Sequence, residues 1–184
     1  QNSDCLPRYA LADKLTKLAP SGLNRVFFTV GGSAAIEAAM KIAVKNVPDS
    51  RKYVTLKDGY HGSSLTTGAG SWISTKSAGI FTGFESFRSI QNDIFVRVPN
   101  PYLYRYNGSA DECVSYCLSA AREIIGSFTA GQVAGLIVEP VQASGGQIIL
   151  PAGYLRGLRK LCDDFGCLLI FDELQTYCRI GDWF

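Results

Sequence analysis

The stretch Leu168-Leu169-Ile170-Phe171-Asp172-Glu173-Leu174-Gln175-Thr176 decides the fold. An unbroken apolar run closed by two carboxylates is the pattern of a buried parallel strand that delivers acids to the carboxyl edge of its sheet. In open α/β sheets ligands bind in the crevice at that edge, so Asp172 marks where a site is expected. A carboxylate kept ionised beside a strand end is costly unless a cation or a strong donor meets it. Asp172 therefore predicts a partner.

Working outward, the same logic recurs. Residues 133–138 form an apolar run that ends in Glu139 and is closed by Pro140; Gly145-Gly146 continue a loop. Residues 154–165 place Leu155, Leu158 and Leu161 at helical spacing, and Gly166 supplies the cap before the opening strand. Residues 111–128 give a further helix with Val114, Cys117, Leu118, Ala121 and Ile125 inward. Residues 53–56 and 94–98 read as strands, the second stopped by Pro99 and Pro101. Nearer the start, residues 25–30 are a short β-prone run, residues 34–47 a helix with Ile36, Met40 and Val44 on one face, and residues 8–18 a helix carrying Leu11, Leu15 and Leu18. Residues 72–107 are the least regular portion. The alternation of strand and helix, with acids and glycines gathered at strand ends, predicts an α/β fold: three layers, α/β/α, around a mostly parallel sheet.

Two further strand ends carry chemistry. Gly31-Gly32-Ser33 stands between a strand pattern and a helix, where unpaired N–H groups and the helix dipole favour an anion. Ser33 serves there either as N-cap or as a hydroxyl donor to a phosphate. The pattern is neither a P-loop nor G-x-G-x-x-G. Gly59-Tyr60-His61-Gly62 follows the strand at 53–56, either as a packed turn or as part of a site on the same edge. The tyrosines of Pro101-Tyr102-Leu103-Tyr104-Arg105-Tyr106 fit a substrate mouth or plain surface packing equally.

Composition bounds the rest. The 184 residues are 47% hydrophobic and 18% charged with a net charge of +2, which suits one globular domain and excludes a disordered chain. Lysines and arginines are scattered, so no nucleic-acid surface is expected. No apolar run approaches membrane-spanning length, and a cytoplasmic or mitochondrial-matrix location is the expectation. The six cysteines include no C-x-x-C pair, which disfavours a zinc site and points to a reducing compartment; Cys113 and Cys117 share a helix face as buried thiols. His61 is the only histidine, so no metal centre built from several imidazoles is expected.

Taken together, Gly31-Gly32-Ser33-Ala34-Ala35-Ile36-Glu37, Tyr60-His61-Gly62, Glu139-Pro140 and Asp172-Glu173-Leu174-Gln175-Thr176 resemble the class III (omega-type) aminotransferases, pyridoxal-phosphate enzymes of the aspartate-aminotransferase fold. The resemblance implies a role for each motif. Gly32 and Ser33 would hold the cofactor phosphate at the helix N-terminus. Tyr60 would stack on the pyridine ring, His61 would shape the pocket, and Leu174 would press on the opposite ring face. Asp172 would meet the protonated ring nitrogen, which supplies its missing cation, and Gln175 would bind the phenolic oxygen. Glu139 would stand at the substrate end. The family further implies transfer of an amino group between an amine or amino acid and a 2-oxo acid, and a homodimer or a complementing chain.

The departures are specific. The family commonly has Ser-Gly-Ser/Ala-Glu-Ala where this chain has Gly31-Gly32-Ser33-Ala34-Ala35, and Tyr177-Cys178-Arg179-Ile180-Gly181 is bulkier than the glycine-rich run expected after Thr176. None of Lys14, Lys17, Lys41, Lys45, Lys52, Lys57, Lys76 and Lys160 stands in the context of the family's Schiff-base lysine. Residues 1–184 are thus expected to be part of the cofactor-binding large domain, with the lysine region and the C-terminal small domain outside it and no catalytic residue within it, so that the chain alone would not transaminate. Two other readings remain: a non-catalytic remnant that binds cofactor or a partner, and a serine hydrolase built on Ser33, His61 and Asp172. The hydrolase reading meets the wrong chain order, since α/β-hydrolases run Ser, acid, His.

Overall fold

The computed structural model describes residues 5–72, 93–130, 132–181 and 183. Much of the least regular portion named above, residues 73–92, lies outside the described residues, as do the first four.

Among the described residues, six strands and five α-helices follow in chain order: α1 (Leu6–Leu18), α2 (Gly32–Asn46), β1 (Lys52–Leu56), α3 (Leu65–Gly70), β2 (Phe95–Val98), α4 (Ala110–Thr129), β3 (Val133–Val138), β4 (Val141–Gln142), β5 (Ile148–Ile149), α5 (Ala152–Phe165) and β6 (Leu168–Phe171). Four strands make one parallel sheet in the order β2-β1-β3-β6, and β4 and β5 pair as a small antiparallel hairpin. Because the chain steps from β1 to β2 on one side and returns to β3 on the other, the sheet has its topological switch between β1 and β3. Ligand crevices form at the carboxyl ends of such strands.

Helices cover both faces, as the α/β/α expectation requires. On one face Ile36, Met40 and Ala43 of α2 pack on Tyr53, Ala134 and Ile137. The Tyr53 hydroxyl donates to the Met40 carbonyl at 2.6 Å, which ties β1 to that helix. On the other face Cys113, Cys117, Ala121 and Ile125 of α4 and Tyr154, Leu158 and Leu161 of α5 pack on Val54, Leu56, Leu136 and Val138. Each fully buried aliphatic side chain here contributes about 2 kcal/mol. The two helices of this layer approach closely at Gly157, where an added Cβ would lie 2.3 Å from Leu118 Cδ1. Both long helices carry end signals legible in the sequence. Ser109 and Glu112 form a capping box at the start of α4, and Gly166, at φ 65°, ends α5 in the left-handed region.

Several expectations are corrected. Within the described residues the opening strand is only partly covered: β6 pairs there with β3 alone, and Leu168 and Phe171 are 36% and 44% exposed. A two-sided apolar run reports that a strand is made to be covered, not that this segment covers it. Residues 25–30 form no strand. They pair with no strand among the described residues, leaving Phe27 and Val30 exposed, because β-propensity becomes a strand only where an edge is offered. On α2 the inward position goes to Ala43 and Val44 is exposed, since a 3.6-residue turn starting from Ile36 and Met40 returns at Ala43. On α1 no residue is buried; Leu11 is half exposed. Cys113 and Cys117 are buried on α4 as expected, and all six cysteines are free thiols.

Candidate functional site

The carboxyl ends of β1, β3 and β6 bring together residues far apart in the chain. The loop after β1 carries Tyr60, His61 and Gly62; β3 ends at Glu139; β6 ends at Asp172. The Asp172 N–H donates to the Val138 carbonyl at 2.8 Å, extending the β3–β6 ladder by one rung and fixing the direction of the acid. Its side chain is held from two sides. The Leu174 N–H donates to Oδ1 at 3.3 Å, and His61 Nδ1 lies 2.9 Å from Oδ2. An ionised carboxylate has no proton to give, so the imidazole Nδ1–H is the donor. The imidazole is nearly inaccessible and the carboxylate keeps 10% exposure.

Behind this pair lies Glu139, 5% exposed, whose Oε1 accepts the Tyr60 N–H at 2.8 Å. Burial pushes the Glu139 carboxyl up to about 7, opposed by the neighbouring His61 and the Tyr60 N–H and reinforced by Asp172. The acid thus sits beneath the Tyr60 loop and supports it.

The glycine turn closes the site from the other side. Ser33 stands at the start of α2, and its Oγ accepts the Ser63 N–H at 3.2 Å. Gly62 adopts φ 126°, and a Cβ there would lie 2.3 Å from Ser33 Oγ and 2.6 Å from Thr67 Oγ1, so only glycine lets the loop approach the helix. Ser64 and Thr67 cap α3 reciprocally, and Ser64 also bonds Glu37 of α2. Ser71 Oγ accepts the His61 N–H at 2.9 Å.

A cavity of about 150 Å³ results, lined by Gly32, Ser33, Tyr60, His61, Gly62, Asp172 and Leu174. Six of the eight residues singled out from the sequence line it. Glu139 is one layer below, and Gln175 is exposed on the turn that follows β6. The hydrolase arrangement does not assemble. Ser33 Oγ is engaged by Ser63, whereas His61 Nε2 is buried with no hydrogen-bond partner among the described residues and lies 3.3 Å from where a Gly59 Cβ would be. Sequence reasoning missed Ser63, Ser64, Thr67 and Ser71, which hold the loop. The spacing Ser64-x-x-Thr67 was the available signal, since a hydroxyl followed three residues later by a polar side chain is a capping pattern.

Residues 4–184 match the family described as aminotransferase class-III. The chain belongs to the class-III aminotransferases. It is 36% identical over 184 residues to the adenosylmethionine-8-amino-7-oxononanoate aminotransferase of Geobacter sulfurreducens, covering 95% of this chain and 39% of that protein. It is 31% identical to the beta-alanine–pyruvate aminotransferase of Pseudomonas aeruginosa, again over 95% of this chain and 39% of the relative. Among solved structures, the taurine:2-oxoglutarate aminotransferase of Bifidobacterium kashiwanohense, in complex with PLP and glutamate, superposes with a TM-score of 0.86 at 28% identity over 99% of this chain and 40% of that one. A PLP-bound amine transaminase from an uncultivated Pseudomonas species gives a TM-score of 0.78 at 29% identity, over 96% and 40%. The chain therefore spans about 40% of the length of the class-III aminotransferases it matches. These relatives make pyridoxal phosphate the cofactor implied for the family. Among the described residues, no helix is long and apolar enough to cross a membrane and no cluster suits a metal ion.

Proposed function

We propose that this chain is the cofactor-holding part of an aminotransferase that moves an amino group between an amine or amino acid and a 2-oxo acid. The observation that carries the reading is that Asp172, Ser33, Tyr60 and Leu174, far apart in the chain, line one cavity. The residues fit a phosphorylated pyridine. A hydroxyl at the start of a 15-residue helix suits a phosphate, and a carboxylate that keeps some exposure suits a protonated ring nitrogen. The aromatic and aliphatic walls suit the two faces of a flat ring.

When bound, pyridoxal phosphate supplies an electron sink that lets a bond at the amino carbon break. The chain's own residues orient and hold. Asp172 keeps a negative charge at the ring-nitrogen end, and His61 fixes which oxygen it presents. Ser33 and the α2 N–H groups fix the phosphate end. Glu139 supports Tyr60 from below, so it acts on the substrate end through that loop. Gln175 would reach a phenolic oxygen by rotation of an exposed side chain. The covalent lysine and the small domain belong to sequence outside residues 1–184, and a second copy or a complementing chain completes the site. The printed substrates of the relatives differ, so the shared chemistry, an amino donor and an oxo acceptor, defines the class proposed here. A reducing compartment, cytoplasmic or mitochondrial, suits six unpaired thiols.

Titration of the full-length protein carrying this chain with pyridoxal phosphate, followed by the visible absorbance of the bound cofactor, tests the reading. Asp172→Ala is expected to weaken binding and to reduce turnover at least 100-fold, and Ser33→Ala to weaken binding with a smaller effect on turnover. Unchanged cofactor affinity and turnover in Asp172→Ala overturn it.

A further inference from the structure

The loop that carries Tyr60 and His61 is gripped at its root by side chains from two other strand ends. Gln142, fully buried on β4, donates from Nε2 to the Lys57 carbonyl at 2.8 Å. Its Oε1 accepts from Asn100 Nδ2 at 2.6 Å, and the same Nδ2 reaches Asp58 Oδ2 at 3.5 Å. Lys57 follows β1, Asn100 stands just after β2 and Gln142 just after β3, so one chain of amides joins three carboxyl ends of the sheet. The β4–β5 hairpin sets the Gln142 backbone, which is registered on Ile148. The turn of that hairpin presses on the same loop: a Cβ at Gly145 would stand 2.5 Å from the Asp58 carbonyl oxygen.

The polarity of the chain is fixed by the Lys57 carbonyl, which can only accept. Gln142 must turn its NH2 group to that carbonyl, its oxygen then faces Asn100, and Asn100 must answer with its own NH2. Further along, the loop is held by its backbone. The Gly59 carbonyl accepts the Trp72 N–H at 2.8 Å, Glu139 accepts the Tyr60 N–H and Ser71 accepts the His61 N–H. A Cβ at Gly59 would lie 3.3 Å from His61 Nε2 and 3.5 Å from Gln142 Nε2, so the imidazole and the amide both close on that residue.

We infer that Gln142 is a positioning residue for the cofactor ring: with Asn100 it sets the height of the Lys57–His61 loop, and through it the placement of Tyr60 and the direction of His61 toward Asp172. This rests on the cofactor-holding reading proposed above. Gln142 is not among the residues that line the cavity, so its effect passes through the backbone of the loop. An ionised glutamate in its place has the same size and still accepts from Asn100, but it has no hydrogen for the Lys57 carbonyl and turns a second acceptor toward it. The root of the loop must then shift. A displacement of about 1 Å in a group that orients the reacting partner can cost about 100-fold in rate.

The test uses the full-length protein loaded with pyridoxal phosphate. Turnover at saturating substrates and the visible circular dichroism of the bound cofactor are both expressed per cofactor bound. Gln142→Glu and Asn100→Asp, which reverses the polarity of the same chain, are each expected to lower kcat about tenfold or more and to weaken the dichroism band, with KM changed far less. Gln142→Met introduces no charge and should act in the same direction, which keeps the test decisive where a carboxylate prevents folding. Tyr53→Phe removes a buried hydrogen bond between β1 and α2, away from the loop, and should melt at lower temperature with both readouts per cofactor unchanged. Parental kcat and dichroism in folded Gln142→Glu or Gln142→Met overturn the inference, as does an equal change in Tyr53→Phe. Asp172→Ala, assayed alongside, separates the two readings: unchanged turnover there removes the cofactor reading itself, whereas its loss beside normal Gln142 variants removes only the positioning role.

Discussion

His61 Nδ1 stands 2.9 Å from Asp172 Oδ2, and the imidazole in this pair comes from the loop after β1 while the acid comes from the end of β6, 111 residues later. Removing the imidazole leaves a largely buried carboxylate without its charge-assisted donor, a loss that typically costs several kcal/mol. His61→Ala is expected to destabilise the protein by about 3 kcal/mol. A double-mutant cycle with Asp172→Asn in denaturant titration should return a coupling energy above about 1 kcal/mol. A cycle that closes to within about 0.3 kcal/mol would mean that the two side chains do not support each other.

Glu139 makes stability depend on pH in a stated direction. Its carboxyl is raised to about 7 by burial, above the value of an unfolded chain. The folded state therefore binds a proton more tightly than the unfolded state between those values. Stability from this group is fully present below the unfolded pKa and is lost as pH rises through about 7. The loss is on the order of 3 kcal/mol. Glu139→Gln keeps an acceptor for the Tyr60 N–H and removes the titration. Denaturation midpoints measured between pH 5 and pH 8 should fall with pH more steeply in the parent protein than in this variant.

Gly62→Ala is predicted to damage the site and the fold together. The substitution puts a methyl group 2.3 Å from Ser33 Oγ at a backbone angle that L-residues rarely adopt. A cost of about 2 kcal/mol or more follows. Adding Ser33→Ala should recover part of the stability and none of the cofactor affinity, read by denaturation and by absorbance titration.

The α4–α5 contact offers a test remote from the site. Gly157→Ala meets the Leu118 side chain, so it should cost about 1–3 kcal/mol. Leu118→Ala in the same chain should relieve the clash, giving a double variant more stable than the sum of the single losses predicts. Thermal unfolding of the four proteins decides it.

Most of the architecture, and the motifs whose residues the fold gathers around one cavity, were legible from one dimension, because the signals involved are local. Apolar runs ending in acids, a glycine turn before a helix, and capping patterns depend on neighbours within a turn or two of chain. Asp172 was identifiable as an acid in need of a partner for the same reason. What the tertiary structure decided is everything set by packing between distant segments. It paired β6 with β3, left residues 25–30 without a strand partner among the described residues, turned Ala43 inward in place of Val44, and joined Glu139 to the Tyr60 N–H. It also gave Asp172 a protein donor, His61, beside the ring nitrogen proposed for it. Sequence periodicity records which side chains are built to be covered; only the folded arrangement specifies by what, because that depends on which strands and helices meet across the sheet.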